Sequence, residues 1–115
     1  MSFEDKFHSL VAQLSAGTAA GRLQWEDTAD EDTYRIALRT GLIQVNRFTP
    51  VGSECDETRY ALSVFNNVNK LVERYDPEAV TSQTELEGLW QGARRSAMHA
   101  DQVIDSLLKE VGGKG

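Results

Sequence analysis

Between Ser82 and Val111 the apolar residues Leu86, Leu89, Trp90, Ala93, Ala97, Ala100, Ile104, Leu107, Leu108 and Val111 recur at steps of three and four. That is the period of a long helix with one buried stripe, so the rest of the chain must supply an apolar surface for it to lie on. Ser82 and Glu85 have the spacing of an N-terminal capping box, and Glu85 and Glu87 place negative charge near that end. Gly88 and Gly92 interrupt the pattern at a combined cost of about 2 kcal/mol relative to alanine. Their spacing suits a close approach to another backbone.

The preceding residues supply the surface. A first helix is expected from Phe3 to Ser15, with Ser2 as its N-cap, Asp5 in a capping-box position and Gly17 at its end. Its buried face carries Phe7, Leu10, Val11 and Leu14. Polar and apolar residues then alternate in Arg22–Glu26, with Leu23 and Trp25 inward, and again in Thr33–Arg39, with Tyr34, Ile36 and Leu38 inward. Leu42–Phe48 reads as a third strand, and Thr58–Phe65 as a fourth with Tyr60, Leu62 and Val64 on one face. Lys70–Tyr75 reads as a fifth. Pro50–Glu57 has the composition of a mobile hairpin loop. All the connections are short enough for antiparallel neighbours, whereas parallel ones need a longer crossover.

These elements specify an α+β fold: an antiparallel β-meander of about five strands with N- and C-terminal helices packed on one face. The expected core is Leu23, Trp25, Tyr34, Ile36, Leu38, Tyr60, Leu62 and Val64 from the sheet, with Leu86, Trp90, Ala97, Ile104 and Leu107 from the last helix. The opposite face carries Arg35, Arg39, Arg59, Ser63 and Arg74 and is expected to be open. Length favours one domain over residues 1–115, with 112–115 as a frayed tail.

Charge and composition narrow the function classes. Eighteen acidic residues against twelve basic give a net charge of −6, which argues against a nonspecific grip on nucleic acid or anionic lipid. No apolar run reaches the ~20 residues needed to span a bilayer, and no leader-like segment opens the chain. The one cysteine, Cys55, excludes an internal disulfide and is compatible with a cytoplasmic location. Its acidic neighbours Glu54, Asp56 and Glu57 disfavour a reactive thiolate.

No pattern of catalytic residues emerges. His8 and His99 lie in the two terminal helices, without the spacing of a metal site. Glu26, Asp27, Asp30, Glu31 and Asp32 do not complete a calcium loop and read as a hydrated turn. Serine-nucleophile elbows and phosphate-binding glycine loops are absent. The chain therefore reads as a binding module more than an enzyme, with no cofactor, metal or catalytic residue to assign; an enzyme would require His8 or His99 to lie in a cleft beside a suitable acid or nucleophile. Five arginines remain as candidate anion ligands: Arg35, Arg39 and Arg59, which strand alternation can gather on one surface, and the adjacent pair Arg94 and Arg95. Arginines on solvated faces more often form structural ion pairs.

The order of helix, meander with a Gly21-Arg22-Leu23-Gln24-Trp25 start, and terminal helix containing Leu89, Ala93-Arg94-Arg95, Ala97 and Ile104-Asp105-Ser106-Leu107-Leu108 resembles a group of small uncharacterised bacterial helix–β-meander–helix proteins. That resemblance implies the same fold and a bacterial origin and carries no catalytic residue. The first expectation for function is a protein-interaction or homo-oligomerisation module that works through its uncovered sheet face. The alternatives are a regulatory protein that binds an anionic small molecule and a chaperone-like or immunity-like binder of a basic protein. The expected partner is a second copy or another protein, with neither nucleic acid nor membrane.

Overall fold

The computed structural model describes residues 2–50 and 57–112, with the backbone alone at residue 101. Helix α1 (Phe3–Ala19) leads into strands β1 (Glu26–Asp27), β2 (Thr33–Ala37), β3 (Gly41–Phe48), β4 (Arg59–Asn66) and β5 (Leu71–Tyr75). Helices α2 (Val80–Ala97) and α3 (Ala100–Gly112) follow. Each strand pairs antiparallel with the next, in the order β1-β2-β3-β4-β5, so the fold is the expected α+β meander. Both edges are abbreviated. β1 has two residues, and in β5 Leu71 faces Phe65 while Glu73 faces Val64, which leaves Val72 as a bulge.

The capping box of α1 is present: the Asp5 N–H donates to Ser2 Oγ (3.2 Å) and the Ser2 N–H to the Asp5 carboxylate (3.4 Å). The helix continues past Gly17 rather than ending there. The chain turns back over this glycine, where the N–H groups of Arg22 and Leu23 donate to its carbonyl and a Cβ would lie 2.8 Å from Leu23 Cδ1. Gly17 thus serves a close approach. The strand expected over Arg22–Glu26 shrinks to β1 because the backbone before it bonds to helices instead of a ladder. The Trp25 N–H donates to Ser96 Oγ (2.9 Å), and its indole donates to Thr18 Oγ1 (2.8 Å).

Helix α2 lies across β1 to β4, and α1 packs beside it. His8 sits next to Glu85 and Thr18 next to Gly92, so the two helices run in the same sense. Phe7 stacks on Tyr75 at 4.8 Å and carries α1 to the β5 side of the same sheet face. The core joins Phe7, Val11 and Leu14 to Trp25, Tyr34, Ile36, Ile43, Val45, Tyr60 and Leu62, closed by Leu86, Leu89, Trp90 and Ala93. Leu23, Val64 and Ala97 pack against it half-buried. Leu38 does not belong to it: it lies one residue beyond β2, in the turn where its N–H donates to the Gly41 carbonyl, and is 43% exposed.

The long terminal helix is broken. Met98 caps α2, and His99 adopts a left-handed conformation at φ 53°. The N–H groups of Met98 and His99 bond back to Arg94 and Ser96, and the His99 carbonyl accepts from Val103 in the next helix. The start also differs, since α2 begins at Val80 without a side-chain cap and Ser82 is buried inside it. Gln83 anchors this end instead. Its Nε2 donates to the carbonyls of Tyr60 (3.0 Å) and Pro77 (2.6 Å), and its Oε1 accepts from the Tyr60 N–H (2.8 Å).

Beyond the break, Ile104 and Leu107 are not core residues. Val103, Ile104, Leu107, Leu108 and Val111 are between 50% and 87% exposed, because α3 touches α2 at its start and then leaves the sheet behind. The radius of gyration, 16.1 Å, accordingly exceeds the roughly 13 Å of a compact chain of this length. Among the described residues, no helix is long and apolar enough to cross a membrane.

Candidate interaction surface

Strand register sorts the outer sheet face into rows. One row runs Glu26–Arg35–Gln44–Ser63–Arg74 and the next Ala37–Leu42–Phe65–Leu71. The face is less open than alternation alone implies. Arg74 reaches to 5.1 Å from the Phe48 ring, spanning the small side chains of Ser63 and Ala61, both of which are buried. The apolar row at the other end has no such cover: Leu42 and Phe65 are half-buried, and Leu71 is exposed.

The five candidate arginines do not converge. Arg35 pairs with Glu26 at 3.4 Å, and Arg39 is exposed in the β2–β3 turn. Arg59 clips the chain between β5 and α2 by donating to Asp76 Oδ1 (2.7 Å) and the Pro77 carbonyl (3.2 Å). Arg94 and Arg95 stand exposed in the last turn of α2, where positive charge suits the helix dipole. Neither makes an ion pair among the described residues. Arg95 lines a half-open cleft of about 400 Å³ with Thr18, Gln24, Ser96, His99 and Gln102, but no other candidate arginine joins it there. Arg59 borders a second cleft, where Glu57, Glu78 and Glu87 offset its charge.

An arginine outside this set is held on the core side of the sheet. Ile43, Val45 and Arg47 alternate, so Arg47 lies on the core face of β3. Its guanidinium rests 4.3 Å from the Trp90 ring centre and 3.1 Å from Asp32 Oδ1. Asp32, itself at φ 60°, accepts at its carbonyl from both the Arg47 N–H (3.1 Å) and the Trp90 indole (3.0 Å). The Asp32 carboxylate raises the Arg47 pKa above its ordinary value, against the opposing effect of burial. Burial pushes the Tyr60 phenol above its ordinary 10.0; Glu87 adds to the rise and Arg47 opposes it. Trp90 stands between Tyr34 and Tyr60, with centroid distances of 5.7 and 5.8 Å. Arg47 therefore clamps α2 to the sheet, with its charge satisfied internally. Its place was legible from the alternation after Ile43.

The two histidines lie apart. His8 Nδ1 is 3.2 Å from Glu85, near the start of α2, whereas His99 follows its end, about 20 Å further along the helix axis. Among the described residues no group of three or more His, Cys, Asp or Glu side chains is placed to hold a metal ion. Cys55, most of the Pro50–Glu57 loop and Gly113–Gly115 of the expected tail lie outside the described residues.

The largest chemical feature is α3 itself. Set on a heptad, Ile104 and Val111 occupy a positions, Ala100 and Leu107 d positions, Leu108 an e position and Val103 a g position. This stripe is wider than the narrow seam of a two-stranded coiled coil and has the width a helix presents to a broad surface. Gln102, Asp105, Ser106 and Lys109 fill the other side. No family model, no curated protein and no solved structure matches this chain.

Proposed function

We propose that this protein is a non-enzymatic protein-interaction module that engages its partner through the apolar face of α3. The supporting observation is the exposure of Val103, Ile104, Leu107, Leu108 and Val111 on one side of a regular helix. Together they leave on the order of 500 Å² of aliphatic surface in water, as large as the biggest patch of a typical monomer. Covering it gains on the order of 10 kcal/mol gross, before the entropy of association is subtracted. A cytoplasmic setting is compatible with this reading, given a lone cysteine.

The test is affinity capture from native extract near 0.15 M salt, comparing wild type with the double variant Ile104→Asp, Leu107→Asp. Light scattering of the purified proteins accompanies the capture. The variant is expected to retain its circular dichroism and to lose the associated protein, whether that is another chain or a further copy. Unchanged association would overturn the assignment to α3.

A further inference from the structure

We propose that the partner of α3 is a second copy of this chain, and that α3 lies along the apolar row Ala37–Leu42–Phe65–Leu71 of that copy's sheet. The inference rests on the reading of α3 as an interaction surface. The two surfaces match in length. From Val103 to Val111 the stripe spans about 12 Å, and the row crosses three interstrand gaps, about 14 Å. Both are apolar along the middle, and among the described residues no helix of the same copy packs on either.

Their charges are opposite. The exposed Arg39 and Lys70 stand at the turns beside the row; toward the middle of the sheet Arg35 is paired with Glu26, and Arg74 leans away toward the Phe48 ring. Helix α3 carries Asp101, Asp105 and Glu110 in its sequence against the one Lys109. In a chain of net charge −6 most surfaces repel another copy, so this basic end of the sheet is where an acidic helix is steered. Pairing of α3 with α3 would instead bring like charges together and leave the sheet row bare.

The area argument points the same way. One stripe offers ~500 Å², short of the ~800 Å² per partner of a stable interface. If each copy lends its α3 and receives the other's, the twofold pair buries ~1,000 Å² per copy.

The experiment is sedimentation and light scattering of the full purified chain at about 0.1 mM, for wild type, Leu107→Asp and Leu71→Asp. Both substituted positions are exposed. Circular dichroism verifies the fold, and Leu107→Asn and Leu71→Asn replace any variant that unfolds. Wild type is expected to be a dimer and each variant a monomer. An equimolar mixture of the two variants should form a heterodimer weaker than the wild-type dimer yet detectable where each variant alone stays monomeric, because one of the two contacts, the helix of one on the sheet of the other, is intact. Arg39→Glu should weaken the dimer about tenfold, and Glu110→Arg, at the flank of the stripe, added to it should recover part of that loss. A monomeric wild type overturns the second-copy inference and leaves the capture experiment to judge α3 as an interaction surface. A dimer that survives Leu71→Asp but not Leu107→Asp overturns the sheet assignment alone. A dimer that survives Leu107→Asp overturns the second-copy inference, since self-association then lies elsewhere, and leaves the capture experiment to judge α3.

Discussion

Helices α2 and α3 follow one another with the same three-and-four spacing of apolar residues, yet Leu86, Leu89 and Trp90 are buried while Ile104, Leu107 and Leu108 face water. The difference is one of supply. Four interstrand gaps make the sheet about 19 Å wide, and α2 alone is about 27 Å long. The sheet is used up before α3 begins. A period of 3.6 determines which side of a helix is apolar; whether that side is covered depends on how much partner surface the fold can lay beneath it.

The contrast is open to several measurements. Leu86→Ala should lower stability by about 2–5 kcal/mol in urea unfolding, because the side chain is fully buried. A loss below 1 kcal/mol would break the distinction between the helices from the α2 side. Next, Arg47→Met should cost about 1–2 kcal/mol, since it removes the contact with Trp90 and leaves Asp32 unpaired. Such polar pinning is specific to α2.

Tyr60 makes the same contact sensitive to pH. Its folded-state pKa is raised, so the unfolded chain releases the phenol proton first. The contribution is complete below pH 10.0 and is lost as the pH climbs through the folded-state value. Denaturation midpoints should fall above pH 10.0, and Tyr60→Phe should flatten that part of the profile.

At the junction, His99→Gly should raise the melting temperature, equivalent to about 0.5–1 kcal/mol, because glycine occupies left-handed φ without its Cβ penalty. The smallest effect belongs to α3: Leu107→Ala should change the stability of the dilute monomer by no more than about 0.5 kcal/mol. A larger loss would mean that α3 is packed onto its own chain.

Much of the fold was legible because it rests on local chemistry. The Ser2/Asp5 capping box and the alternations around Tyr34–Ile36 and Tyr60–Leu62 each encode their element directly. Other features depend on neighbours distant in sequence. Gly17 looked like a helix stop, but its role comes from Leu23 folding onto it. Ser82 looked like a cap, yet the end of α2 is held by Gln83 bonding to a strand. The break at His99 carried no glycine to mark it. The apolar row on the outer face appears only when four strands are set in register, since each contributes one unremarkable residue. The arginines illustrate the limit for sites: alternation set Arg35 outward, and the same alternation after Ile43 and Val45 was available for Arg47 but not drawn on, while only the packed structure shows that Arg59 is consumed by Asp76.

The clipped margins of the sheet have a further consequence. A two-residue β1 and a β5 bulged at Val72 shorten the straight ladder of N–H and carbonyl groups that either edge offers a foreign strand. Growth of the sheet by edge pairing, the first step toward fibrous stacking, is thereby disfavoured at both ends.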